Sequence, residues 1–224
     1  MKRIDGNIVK ELISDINIVN SLKTIEIDVN DCKNAVKLIL EKYCDGFTFD
    51  DNLSELYTNG VKYFTGQECD WDLKKGLMII GNVGTGKSLF MKAMQIFTGY
   101  ITKVNRFNIY TSRQVMNDFL VNGYESFDKY LFNENTSAQK NPYHIAIDDI
   151  GRMDENVMNF GTKKNVIQEI LADRYEIYKS HGKLTFVTTN LNSEKLEEYY
   201  GEWIRSRARE MFNIIKITGK DKRK

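Results

Sequence analysis

An α/β fold, a parallel five-stranded sheet with helices on both faces, is predicted by three observations. Apolar runs of strand length alternate with amphipathic stretches of helix length from Leu77 onward. The first of these runs, Leu77 to Ile80, leads straight into a glycine-rich turn and then a helix. Later runs stop at polar residues on their carboxyl side, where sheets of this kind gather their ligand-binding groups.

In order, Val9 to Leu22 mixes apolar and polar residues without a clear period. Asn30 or Asp31 is the expected cap of a helix running through Ala35 to Tyr43 and stopped by Gly46. A second helix is expected over Leu53 to Phe64, closed by Gly66. Residues 1–50 therefore read as a helical N-terminal segment suited to a partner, and 51–224 as the main domain. After Ile80 comes an amphipathic helix from Ser88 to Phe97, a strand over Val104 to Thr111, and a helix over Ser112 to Val121 capped by Ser112. Gly123 to Lys140 is polar apart from Tyr130 to Phe132, and Tyr143 to Asp148 is a buried-strand pattern closed by acids. Lys164 to His181 reads as a helix ended by Gly182, and Lys183 to Asn190 as a strand. Ser193 is the expected cap of a helix to Tyr200, a further helix follows Gly201, and Asn213 to Thr218 is the last strand.

The chain of 224 residues is 42% hydrophobic and 28% charged, a composition that can bury a core. No apolar run is long enough to cross a bilayer, and Met1 to Gly6 shows no signal-peptide core. Cys32, Cys44 and Cys69 are odd in number and lack metal-ligand spacing, so the expectation is reduced thiols in the cytoplasm and no structural zinc. Net charge is +1, but the C-terminal edge is basic: Trp203 to Lys224 carries eight Lys and Arg against Glu210 and Asp221.

Gly81-Asn82-Val83-Gly84-Thr85-Gly86-Lys87-Ser88 fits G-x-x-x-x-G-K-[ST] at every fixed position, in the strand–loop–helix setting the motif requires. The glycines let backbone N–H groups face phosphate oxygens, and the helix N-terminus adds its partial positive charge. Lys87 is placed for the β- and γ-phosphates of ATP, and the Ser88 hydroxyl for Mg²⁺. Asp148 is the expected second metal-site residue, through water, and Asp149 the group that orients or deprotonates the attacking water. Two adjacent carboxylates repel unless a cation offsets them, which again points to a metal. Asn190, at the end of its strand, either holds that water or forms an ordinary turn. Arg205, Arg207 and Arg209 lie on one helix without sharing a face, and one of them is a candidate for a neighbour's nucleotide. His144 reads as packing, and His181 as a cation suited to a helix C-terminus.

Taken together, Gly81–Ser88, Ile147-Asp-Asp-Ile-Gly151, Thr188-Thr-Asn-Leu191 and Tyr200-Gly-Glu-Trp-Ile-Arg-Ser-Arg207 resemble the AAA+ ATPases. More narrowly they are similar to the DnaC/DnaI-type bacterial replicative helicase loaders and the related IstB transposition ATPases. The resemblance runs from about Leu53 to the C-terminus and implies a P-loop NTPase (AAA+ core) whose helical lid is absent or vestigial. It implies that Gly81–Ser88 is the Walker A loop, Asp148 and Asp149 the Walker B acids, Asn190 the sensor-1 residue and Arg207 the arginine finger. It further implies ATP and Mg²⁺ as cofactors, self-association through the nucleotide site as a ring or spiral, single-stranded DNA, and a replicative helicase as partner. Asp149 stands where that group usually has Glu. Alternatives are an IstB-like transposition-accessory ATPase, a non-oligomeric P-loop kinase or nucleotide switch, and an ATP-binding adaptor without turnover.

Overall fold

The computed structural model describes residues 28–43, 51–102, 105–133, 141–152, 154–159, 162–219 and 221. Val9 to Leu22, Gly46 and Val104 lie outside them. The described part of Met1–Trp71 together with Leu89–Arg106 forms one compact unit, and Asp72–Ser88 with Phe107–Lys224 a second.

In the first unit, α1 (Val29–Tyr43) and α2 (Asp51–Phe64) pack on each other. The cap of α1 is Asp28 rather than Asn30 or Asp31: its Oδ1 accepts the N–H groups of Asn30 and Asp31. Helix α3 (Lys87–Phe97) brings Phe90 into this unit, where Tyr57 and Trp71 meet its ring edge-on. Gly60 stands within the continuous α2 for a steric reason, because a Cβ there would stand 2.7 Å from the Phe90 ring.

The second unit is organised by a five-stranded parallel sheet. Its members are β1 (Gly76–Gly81), β2 (Phe107–Thr111), β5 (His144–Ile150), β8 (Thr185–Thr189) and β9 (Phe212–Ile217), in the order β2-β5-β8-β1-β9. β1, β5 and β8 are central and nearly continuous in buried residues, as a parallel sheet covered on both faces requires. Between them run α4 (Ser112–Asn122), α5 (Asp128–Leu131), α6 (Val166–His181) and α7 (Ser193–Met211). Helix α4 packs on β2 and β5, and α6 packs against α4, α5 and α7. Val115, Phe119, Ile145, Ile147, Ile167, Ile170, Val187 and Ile204 belong to one core.

Two antiparallel hairpins depart from the sequence expectation. β3 (Phe132–Asn133) pairs with β4 (Asn141–Pro142), inside a stretch read as polar connection. β6 (Asn156–Asn159) pairs with β7 (Thr162–Asn165), so Lys164 lies on a strand and α6 begins at Val166 with Asn165 as cap. The cap of α4 is Thr111, not Ser112: Thr111 is extended, accepts Gln114 N–H, and receives the Gln114 side chain on its own N–H. Likewise α7 is capped by Asn192 rather than Ser193, and it is kinked at Gly201 (φ 82°). The acids do not close β5 as expected, since the strand continues to Ile150.

His144 packs as expected and also carries a hydrogen bond. Its Nδ1 accepts the N–H of Leu184 at 2.9 Å. Burial first, then the charges of Lys183 and Arg174, hold its pKa down at about 4. A folded-state pKa below the ordinary 6.5 stabilises the fold fully above pH 6.5 and loses that contribution as pH falls through about 4. The contribution is at most about 3 kcal/mol. Thermal unfolding between pH 7 and pH 4 is therefore expected to lose less melting temperature in His144→Asn than in the wild type. Identical slopes would remove this histidine from the acid response.

Candidate functional site

The loop between β1 and α3 turns around a buried lysine. Lys87 is 6% exposed, and its ammonium donates to Gly81 O at 2.7 Å, Asn82 O at 2.8 Å and Asn190 Oδ1 at 2.6 Å. Thr85, also buried, fixes the turn by donating its hydroxyl to Asn82 O. Gly84 has φ +78° and Gly86 φ +95°, which favour glycine, and at Gly84 space agrees with conformation. A Cβ on Gly84 would fall 1.8 Å from the Asp221 carboxylate, so Asp221 lies against the loop.

Opposite Lys87 stand the two acids, and β5 is distorted to present them. The register between β5 and β8 shifts between Ile147 and Ile150, and Asp149 has φ 63°. A left-handed aspartate inside a strand costs energy, and such strain concentrates where a side chain must be aimed. Thr188, on β8, holds both residues: its hydroxyl donates to Asp148 Oδ1 at 2.5 Å and accepts the N–H of Asp149 at 2.8 Å. Ser112 donates to the carbonyl of Asp149 at 2.9 Å, a bond made possible because Thr111 does the capping. Burial raises the pKa of Asp148, partly countered by hydrogen bonds from Thr188 and Ser88 and by the charge of Lys87. A desolvated carboxylate beside a serine hydroxyl suits a small hard cation that takes its other ligands from phosphates and water. Among the described residues no group of three or more His, Cys, Asp or Glu could hold a metal ion by itself.

Asn190 joins the two sides. It accepts from Lys87 and donates through Nδ2 to Asp149 Oδ1 at 3.1 Å, while Arg152 pairs with Asp149 Oδ2 at 2.8 Å. Lys87, Ser88, Asp148, Asp149 and Asn190 thus come together from three places in the sequence. Arg207 has a different setting: its guanidinium stacks on the Tyr175 ring of α6, 4.7 Å from the centroid. Tyr175 is itself tied to Glu210, which also pairs with Lys179.

Sequence reasoning missed Thr188, Ser112, Arg152 and Glu155. Thr188 had a usable signal, a hydroxyl in an apolar strand two residues before Asn190. Glu155 had none, yet it is fully buried: its carboxylate accepts Gly151 N–H at 2.7 Å and the hydroxyl of Tyr200. Burial, above all, pushes its pKa up to about 7.

A parallel sheet in which the phosphate-loop strand β1 and the acid-bearing strand β5 flank β8, with a polar residue at the end of β8, has the fold of a P-loop domain of the AAA+ architecture. Solved structures bear this out. The chain is similar to DnaI (TM-score 0.55, 19% identity, 80% of this chain and 88% of that one). It is similar to the DnaC helicase loader (TM-score 0.56, 20% identity, 77% and 94%). It is similar to the replication initiator DnaA bound to AMPPCP and single-stranded DNA (TM-score 0.56, 15% identity, 81% and 50%). The property shared at these identities is the fold. No protein-family model matches the chain, and no curated protein does.

Proposed function

We propose that this chain is an ATP-hydrolysing DNA-replication protein that assembles through its nucleotide site and helps place a replicative helicase on single-stranded DNA. The observation that carries this reading is the linked set Lys87–Asn190–Asp149, a cation for phosphate oxygens wired to a carboxylate suited to the attacking water. In this reading Gly81–Ser88 would cradle the triphosphate, and Ser88 and Asp148 would hold Mg²⁺. Bound there, the ion would offset the negative charge that builds on the transferring group. Asp149 and Asn190 orient water, and Arg207 serves the neighbouring subunit's nucleotide. Residues 1–50 take the partner and 51–224 form the ATPase domain.

Several features support the reading. Arg207 stacks on the Tyr175 ring of α6, which would hold the guanidinium in one place for a neighbouring subunit. The neighbours in fold include a helicase loader and an initiator bound to single-stranded DNA. Tyr124 is 43% exposed with Lys164 5.2 Å over its ring, close in sequence to exposed Leu120 and Val121. An exposed ring beside a cation is the chemistry on which unpaired bases stack.

The test is phosphate release per subunit across protein concentration, with and without single-stranded DNA. The expected result is turnover that rises at least tenfold with concentration and further with DNA, the DNA effect weakening as salt rises. Flat turnover that ignores DNA and needs a small acceptor would instead establish a self-contained kinase.

A further inference from the structure

Glu155 links the two regions that the proposed mechanism needs in register. On one side its carboxylate holds Gly151 N–H, two residues beyond Asp149. Gly151 has φ +73°, and a Cβ on it would stand 2.2 Å from Leu191, so this turn is seated on the residue after Asn190. On the other side the carboxylate accepts the hydroxyl of Tyr200, 1% exposed, the last residue before the Gly201 kink in α7. The Glu155 carbonyl also accepts Val166 N–H, the first residue of α6. Helices α6 and α7 are the two that hold Arg207, through Tyr175 and through the buried Ile204, Ala208 and Met211 on either side of it.

Chemistry makes this arrangement hard to read as packing alone. A carboxyl group placed in a core without a lysine or arginine partner is costly, and a Gln or apolar residue would fill the volume at less cost. What the carboxylate adds is two oxygens that accept from two separate segments at once. Gly201, with φ 82° and no Cβ, is the pivot between the halves of α7, and Tyr200 fixes one side of that pivot.

We propose that Glu155 is a positioning residue for the arginine that one subunit lends to the next: by tying the turn after the acidic pair to Tyr200, it sets the α7 kink and hence the projection of Arg207. The inference rests on the shared-site reading above. It makes the donor subunit's own Asp149–Asn190 region a determinant of how well that subunit serves its neighbour.

Mixed assemblies test it. An acceptor carrying Arg207→Ala keeps its phosphate loop and acids but offers no arginine, while a donor carrying Lys87→Ala hydrolyses nothing itself and offers Arg207. At saturating donor, the mixture is expected to turn over ATP well above either protein alone. Adding Glu155→Ala to the donor is expected to lower the kcat of the mixture at least tenfold with the acceptor's KM for ATP unchanged. Glu155→Gln in the donor keeps one acceptor oxygen where two segments need one each, and should recover only part of that loss. Tyr200→Phe, which removes a single hydroxyl, gives the same direction of change if Glu155→Ala fails to fold. Full kcat from a folded Glu155→Ala or Tyr200→Phe donor overturns the proposal. No turnover from the unmodified pair overturns the shared site itself, and the proposal with it.

Discussion

Lys87→Ala is expected to weaken ATP binding at least 100-fold and to bring turnover to background. The ammonium is buried and meets three oxygens, Gly81 O, Asn82 O and Asn190 Oδ1, each within 2.8 Å. Its charge also offsets part of the rise that desolvation gives the pKa of the half-buried Asp148. Alanine removes the cation that β- and γ-phosphate oxygens would meet and leaves carbonyls facing them instead. A 100-fold loss corresponds to about 2.7 kcal/mol, modest for a desolvated charge opposite a phosphate. Lys87→Arg is expected to fail almost as badly, because a planar fork cannot occupy a pocket shaped by two backbone carbonyls for a point charge. Fluorescent-nucleotide titration and phosphate release check both variants. Retention of wild-type affinity by Lys87→Ala would mean that phosphates bind elsewhere.

Arg207→Ala is expected to leave ATP binding within a factor of two while lowering turnover about 10³-fold in the assembled, DNA-bound protein. The reasoning is geometric. Arg207 is stacked on Tyr175, while Lys87 is held by Gly81, Asn82 and Asn190, so the loss of Arg207 is expected to leave the subunit's own phosphate loop in place. If the arginine acts on the neighbour, its effect vanishes on dilution, where wild type and variant share the same low rate. A structural cost remains, because Tyr175 loses a cation worth about 1 kcal/mol. Arg207→Lys separates that cost from the chemistry, since it keeps a charge over the ring but cannot fork around a γ-phosphate. A turnover profile in which Arg207→Ala follows the wild type at every concentration would leave no role for a borrowed arginine.

Much of this architecture is legible in the residues because two strong signals coincide. Apolar runs mark the inner strands, and the phosphate loop shows at which strand end the nucleotide-facing groups gather. What escaped was decided by tertiary context. At Asn30/Asp31 against Asp28, Ser112 against Thr111 and Ser193 against Asn192, more than one competent cap stands close to the helix start. At Thr111 and Asn192 the winner is a residue the surrounding backbone leaves extended. The β6–β7 hairpin is four residues a side and rich in asparagine and lysine, so it has no periodicity to detect. The acidic pair stands out in the sequence, but the left-handed conformation of Asp149 inside β5 is held by Thr188 from another strand, which no local pattern announces. The burial of Glu155 depends on Tyr200, 45 positions later, and no local pattern encodes that distance.

The place of β1 in the sheet has a consequence for biosynthesis. Met78 pairs with Val187 and Gly76 with Phe212, so both neighbours of the phosphate-loop strand are made more than a hundred residues after it. A nascent chain halfway through translation would carry β1 as an apolar segment with neither lateral edge paired. Sheets closed by such remote partners form slowly and are exposed to misassociation until they do. Until β8 and β9 have both been made, the phosphate loop at the end of β1 lacks the strands that hold it in place.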